Sequence, residues 1–133
     1  MTTTNVSPLI AEAIREIQET FVRSSVAVDS DGAGGVWVVI EPVPLGPVYV
    51  QDETWIAFLI TFAYPEADVY PHFVRPDLSR VDGAPLGEGF CPTTWGSIGK
   101  AGMQLSRRSN RLNPAVDTAA TKALKVLKWL NER

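Results

Sequence analysis

The sequence predicts an α+β domain. Helix-start signals with amphipathic spacing stand at both ends of the chain, and β-branched and aromatic runs broken by Gly and Pro lie between them. A third observation is the stretch from Tyr64 to about Asn113. It is rich in Pro and Gly and has few regular signals, yet it carries Tyr70, Phe73, Phe90 and Trp95. Such a segment is long for a small domain, and its aromatic residues favour an ordered, functional one.

The first helix is expected over Pro8 to Arg23. Ser7 supplies an N-cap and Pro8 a first helical position. Ile10, Ile14, Ile17 and Phe21 recur on one face, while Arg15, Glu16 and Glu19 fall off it. Val26 to Val28 reads as a short strand and Asp29 to Gly35 as a turn. Val36 to Ile40 is a second strand. Pro42, Pro44 and Pro47 make the next stretch an edge or a loop. Thr54 to Phe62 is apolar on both faces and reads as a central strand. The last helix is expected to open at Asn113-Pro114 with Asp117 in its first turn. Val116, Ala120, Ala123, Leu127 and Leu130 form its stripe, with Lys122, Lys125 and Lys128 on other faces. The predicted order is N-terminal helix, antiparallel β-meander, long irregular segment and C-terminal helix.

Composition bounds the function. The chain has 133 residues, 45% hydrophobic and 20% charged, which suits one globular domain over 1–133 with residues 1–6 flexible. The net charge of -3 argues against nucleic acid as the main partner. A single Cys and a single His exclude an intramolecular disulfide, a zinc site of several thiolates and a His-rich metal site. No apolar core of a secretory leader follows Met1 to Asn5. The longest apolar run, Trp55 to Ala63, is too short to cross a bilayer as a helix. The expectation is a cytoplasmic protein without a membrane partner.

Chemistry concentrates in the irregular segment. It contains Arg75-Pro76-Asp77, then Asp82-Gly83, then Gly87-Glu88-Gly89-Phe90-Cys91-Pro92. A structural cysteine acts as a small hydrophobe within a strand or helix, whereas a loop cysteine is available as a nucleophile. Cys91 fits either description by type: its Gly- and Pro-flanked position makes it available as a nucleophile, while a lone Cys in an intracellular protein is often incidental.

The whole order resembles a ubiquitin-conjugating enzyme domain. Tyr64-Pro65 stands where that family has a Tyr-Pro turn, Arg75-Pro76-Asp77 stands near its His-Pro-Asn motif, and Cys91 follows as the thioester cysteine. The run Ser106-Arg107-Arg108-Ser109-Asn110-Arg111-Leu112-Asn113-Pro114, followed by Asp117-Thr118-Ala119-Ala120, is similar to the bacterial ubiquitin-conjugating-like families. Those occur in operons with an activating enzyme and a ubiquitin-like protein, some of them antiviral defence systems. The resemblance covers about Pro8 to Leu130. It implies a Cys91 thioester, an activating enzyme and a ubiquitin-like protein as partners, an amine on a target protein as acceptor, and no cofactor. It also implies docking of the activating enzyme on the N-terminal helix.

The chain departs from the family pattern at Asp77, where the family has an Asn that helps stabilise the oxyanion. A carboxylate there opposes an oxyanion unless it is protonated. The gap from Asp77 to Cys91 is also longer than in eukaryotic members. Asn110, Ser109 and backbone N–H groups are the other candidate donors. His72, Asp77, Asp82 and Glu88 are candidates to handle the incoming amine. Arg107, Arg108 and Arg111 would favour the thiolate if folded beside Cys91, or bind substrate or partner. Trp95 is expected near Cys91 as a wall of the site. Each has a plainer role: His72 packed in the core, Asp77 capping a turn, the arginines on a solvated face. Three other functions compete with conjugation: a non-catalytic variant that binds a ubiquitin-like protein, a structural adaptor of an operon complex with Cys91 incidental, and, more weakly, a cysteine hydrolase that would need His72 beside Cys91.

Overall fold

The computed structural model describes residues 7–109 and 111–132. The expectation for residues 1–6 lies outside them. Helix α1 spans Pro8–Thr20, and Ser7 caps it by accepting a hydrogen bond from the Ile10 N–H at 3.2 Å. It stops short of Arg23 because Phe21 leaves helical geometry while its N–H still reaches Ile17 O. That exit carries Phe21 against the core.

Strand β1 (Ser25–Ser30) and strand β2 (Val36–Pro44) form a hairpin. Asp31 organises its turn, accepting from the N–H groups of Ala33 and Gly35 at 2.7 and 2.9 Å. Gly35 is required there, since a Cβ would lie 2.5 Å from the Ile60 carbonyl oxygen. Strand β2 continues past the expected Ile40, through a register shift between Ile40 and Val43 that admits Pro42 and Pro44. Its partner, β3 (Glu53–Ile60), is the central strand the sequence predicts.

The main correction concerns the segment expected to be irregular. It contributes half the sheet: β4 (His72–Val74), β5 (Phe90–Trp95) and β6 (Lys100–Leu105). All pairings are antiparallel, and the six-stranded sheet runs β1-β2-β3-β4-β6-β5. Strand β5 is an edge, so Pro92 lacks an N–H without breaking a ladder on both sides. The stretch between β4 and β5 is pinned too. Val50 N–H bonds Ser79 O, Val81 N–H bonds Val48 O, and the Gln51 side chain bonds Asp77 O and the Ser79 N–H.

A second correction moves the last helix. Helix α2 spans Ala119–Asn131 with Thr118 as its cap, and Thr118 and Thr121 bond each other reciprocally. Asn113-Pro114 instead opens a separate turn. Asn113 Oδ1 accepts from Ala115 N–H, and Asp117 bonds back to Asn113 N–H at 2.7 Å. Val116 therefore lies outside the stripe and is exposed.

Both helices pack on one face of the sheet. Ile10, Ala13 and Ile17 of α1 join Ala123, Val126, Leu127 and Leu130 of α2 over Val36, Val38, Ile40, Ile56, Phe58, Val74 and Leu105. The alternate residues Trp37, Val39, Trp55, Ala57, Phe73 and Trp95 form a smaller cluster on the other, open face. No helix among the described residues is long and apolar enough to cross a membrane.

Candidate functional site

Strand register decides what can meet Cys91. His72 opposes Leu105, which opposes Phe90; Phe73 opposes Gln104, which opposes Cys91. Opposed residues share a face and neighbours alternate. Cys91 therefore belongs to the open face with Phe73 and Gln104, and His72 to the helix-covered face. Cys91 is exposed and unbonded to any other cysteine, with Sγ 3.6 Å from Pro92 O.

His72 cannot assist this thiol. It is fully buried beside Phe58, with ring centroids 5.1 Å apart, and neither ring nitrogen has a hydrogen-bond partner. Burial, helped by nearby Lys122 and resisted by Asp68, pushes its pKa down to about 3. It is a neutral core side chain, the plainer of the two roles the sequence allows.

Asp77 is committed elsewhere. Arg75 holds it as a two-pronged pair at 2.6 and 2.8 Å, and the same guanidinium donates to Glu53 O. The Arg75 hydrogen bond keeps the Asp77 carboxyl below the usual carboxylate range. Asp77 is thus an anion at neutral pH and does not donate to an oxyanion. Asp82 is likewise forked by Arg80 at 3.0 and 3.1 Å, which lowers its pKa. Glu88 is exposed.

Trp95 shares the open face with Cys91 but sits four residues along β5, about 13 Å away at strand spacing. It does not wall the thiol. Its ring lies 5.2 Å from Trp55, 5.8 Å from Trp37 and 6.0 Å from Phe73, with Lys100 Nζ 5.8 Å from its centroid. Beside it, Ala27, Val39, Ile98 and Lys100 border a shallow cavity of about 180 Å³.

The basic cluster lies along α2, the helix on the face opposite Cys91. Arg107 stacks over Trp129 at 5.0 Å and Arg108 over Tyr70 at 4.2 Å. Arg107, Arg108, Arg111 and Lys125 line a cleft of about 430 Å³ with Asp117 and Trp129. Asn110 lies outside the described residues. Ser109 does not serve Cys91: its N–H and Oγ bond Asp68 at 2.7 and 2.9 Å, and its Oγ accepts from Lys122 at 2.9 Å. Lys122 also grips both Asp68 oxygens, at 2.9 and 3.0 Å. Sequence periodicity placed Lys122 on an outer face; it is buried because Asp68 meets it from a distant loop.

Tyr64, of the Tyr-Pro turn, accepts from the Ala119 N–H at 3.1 Å and so ties that turn to the start of α2. No group of three or more His, Cys, Asp or Glu side chains suited to a metal forms among the described residues. Comparisons with protein-family models, curated proteins and solved structures give no match for this chain.

Proposed function

We propose that this chain is a ubiquitin-conjugating-like enzyme of bacterial type, working in the cytoplasm. Cys91 accepts a ubiquitin-like protein as a thioester from an activating enzyme and passes it to an amine of a target. The observation that carries the reading is the exposed, unpaired Cys91 thiol on the edge strand β5, open to a docked partner. The antiparallel sheet with a helix at each end of the chain agrees with it.

In the loading step the Cys91 thiolate attacks the carbonyl carbon of the activating enzyme's thioester. A new C–S bond forms, the old one breaks, and the activating enzyme's thiolate leaves. In the transfer step an amine attacks the same carbon. The C–N bond forms, Cys91 leaves as thiolate, and the amine's proton passes to solvent or to the thiolate. With His72 buried and Asp77 paired, neither serves as oxyanion donor, and backbone N–H groups near β5 are the candidates among the described residues, beside the side-chain amide of Gln104 opposite Cys91.

A second reading is favoured by the Arg75–Asp77 pair, which removes the family's oxyanion position from service. On it, the chain binds a ubiquitin-like protein without forming a thioester. A charging assay separates the two. The protein is mixed with its operon's activating enzyme, ubiquitin-like protein and ATP and run on a non-reducing gel. An adduct removed by thiol and absent in Cys91→Ala supports the enzyme; binding without an adduct supports the non-catalytic variant.

A further inference from the structure

We propose that the cleft beside α2 is a binding site for an oligophosphate group, either free or as the phosphate chain of a nucleotide. The proposal is independent of thioester chemistry at Cys91. It rests on three guanidinium groups gathered in a protein whose net charge is -3. Among the described residues no carboxylate pairs with Arg107, Arg108 or Arg111, whereas Arg15, Arg75 and Arg80 are each paired. The one carboxylate lining the cleft, Asp117, bonds Asn113 N–H and sits 3.6 Å from Lys125.

The arginines are also held in place. The Arg107 and Arg108 guanidinium groups rest over the Trp129 and Tyr70 rings at 5.0 and 4.2 Å, and a contact through the ring face uses no N–H donor. Between Arg108 and Arg111, Ser109 is fixed by the pair of buried Lys122 with half-buried Asp68. That pair is neutral within itself, so it anchors the segment without cancelling the guanidinium charge. Oriented guanidinium forks match phosphate oxygens two at a time. The cleft volume, about 430 Å³, lies within the range of small-ligand sites. Arg107 and Arg108 already cover the neighbouring aromatic rings, so the cleft recognises the phosphate chain rather than a stacked base.

The test is calorimetric titration of the full chain with tripolyphosphate and with ATP at low and high ionic strength. One saturable site that weakens with salt is expected. Arg108→Gln should weaken it about tenfold, the loss of one charge-assisted contact. The combined Arg107→Gln, Arg108→Gln, Arg111→Gln variant should abolish it, while Arg23→Gln, outside the cleft, leaves it unchanged. Circular dichroism confirms that each variant is folded. Equal affinity for both ligands is the expected result, since the cleft recognises the phosphate chain; markedly tighter ATP binding would overturn that part of the argument and place the base or sugar in the site as well. Absence of saturable binding at low salt, binding that survives the triple change, or tighter binding of a poly-glutamate peptide would overturn the proposal.

Discussion

Lys122 donates to both carboxylate oxygens of Asp68, at 2.9 and 3.0 Å, and so joins α2 to the loop before β4. Both side chains are largely out of water, at 9% and 20% exposure. Burial alone raises the Asp68 pKa, but the Lys122 and Ser109 hydrogen bonds outweigh it and the net shift is downward. Removing one partner leaves a buried charge, so Asp68→Ala should cost about 3 kcal/mol in urea unfolding. Replacing both, Asp68→Leu with Lys122→Met, should recover most of that. The Lys125–Asp117 pair is longer and its lysine is 70% exposed, so Lys125→Ala should change stability by less than about 0.5 kcal/mol.

The depressed carboxyl also sets an acid limit. Asp68 is charged in both states above the ordinary carboxylate value of 3.8, and the pair's contribution is complete there. It is lost as pH falls below that value through the lower folded pKa.

His72 produces a second and earlier acid sensitivity. In the unfolded chain it takes a proton near pH 6.5, whereas in the core it stays neutral down to about 3. The unfolded state therefore binds more protons across that interval, and stability falls as pH drops through it, by up to about 1.4 kcal/mol per unit. Melts from pH 7 to 4 should lose this slope in His72→Leu. On the proposed function, the same variant should form the Cys91 thioester to the same extent as the unaltered protein, because the ring faces away from Cys91. A variant that lost charging while folded would refute that placement.

Cys91 should behave as a surface thiol. It should react with a small alkylating reagent in the native protein about as fast as in urea, since nothing covers it. Cys91→Ser should shift stability by no more than about 0.5 kcal/mol while removing any thioester. Strong protection from alkylation would contradict the edge-strand position.

Parts of this fold are readable from local sequence and parts are not. Ser7-Pro8 marks the start of α1 because capping acts within a few residues. Asn113-Pro114 offers the same grammar but makes a turn, and Thr118 with Thr121 wins the cap by bonding reciprocally. Strand β4 is only three residues long; its identity comes from Ala57 and Gln104 on either side of Phe73, which no local pattern reveals. The basic run 107–111 is visible in sequence, but its cleft is not. Trp129 and Tyr70, which orient the arginines, come from distant elements. Strand parity, known only once the register is fixed, separates His72 from Cys91.

The open face supplies the last prediction. Gly102 lies under Trp95, where a Cβ would fall 2.7 Å from Cδ1 and 2.8 Å from Nε1 of the indole. Trp95 cannot simply swing aside, because Trp37, Trp55 and Phe73 surround its ring. Gly102→Ala should therefore destabilise the protein by about 1–3 kcal/mol, as overpacking does in a filled cluster. Its tryptophan fluorescence should also shift to the red as Trp95 is lifted toward solvent. A Gly102→Ala protein with unchanged stability and emission would mean that Trp95 does not close over β6 in solution.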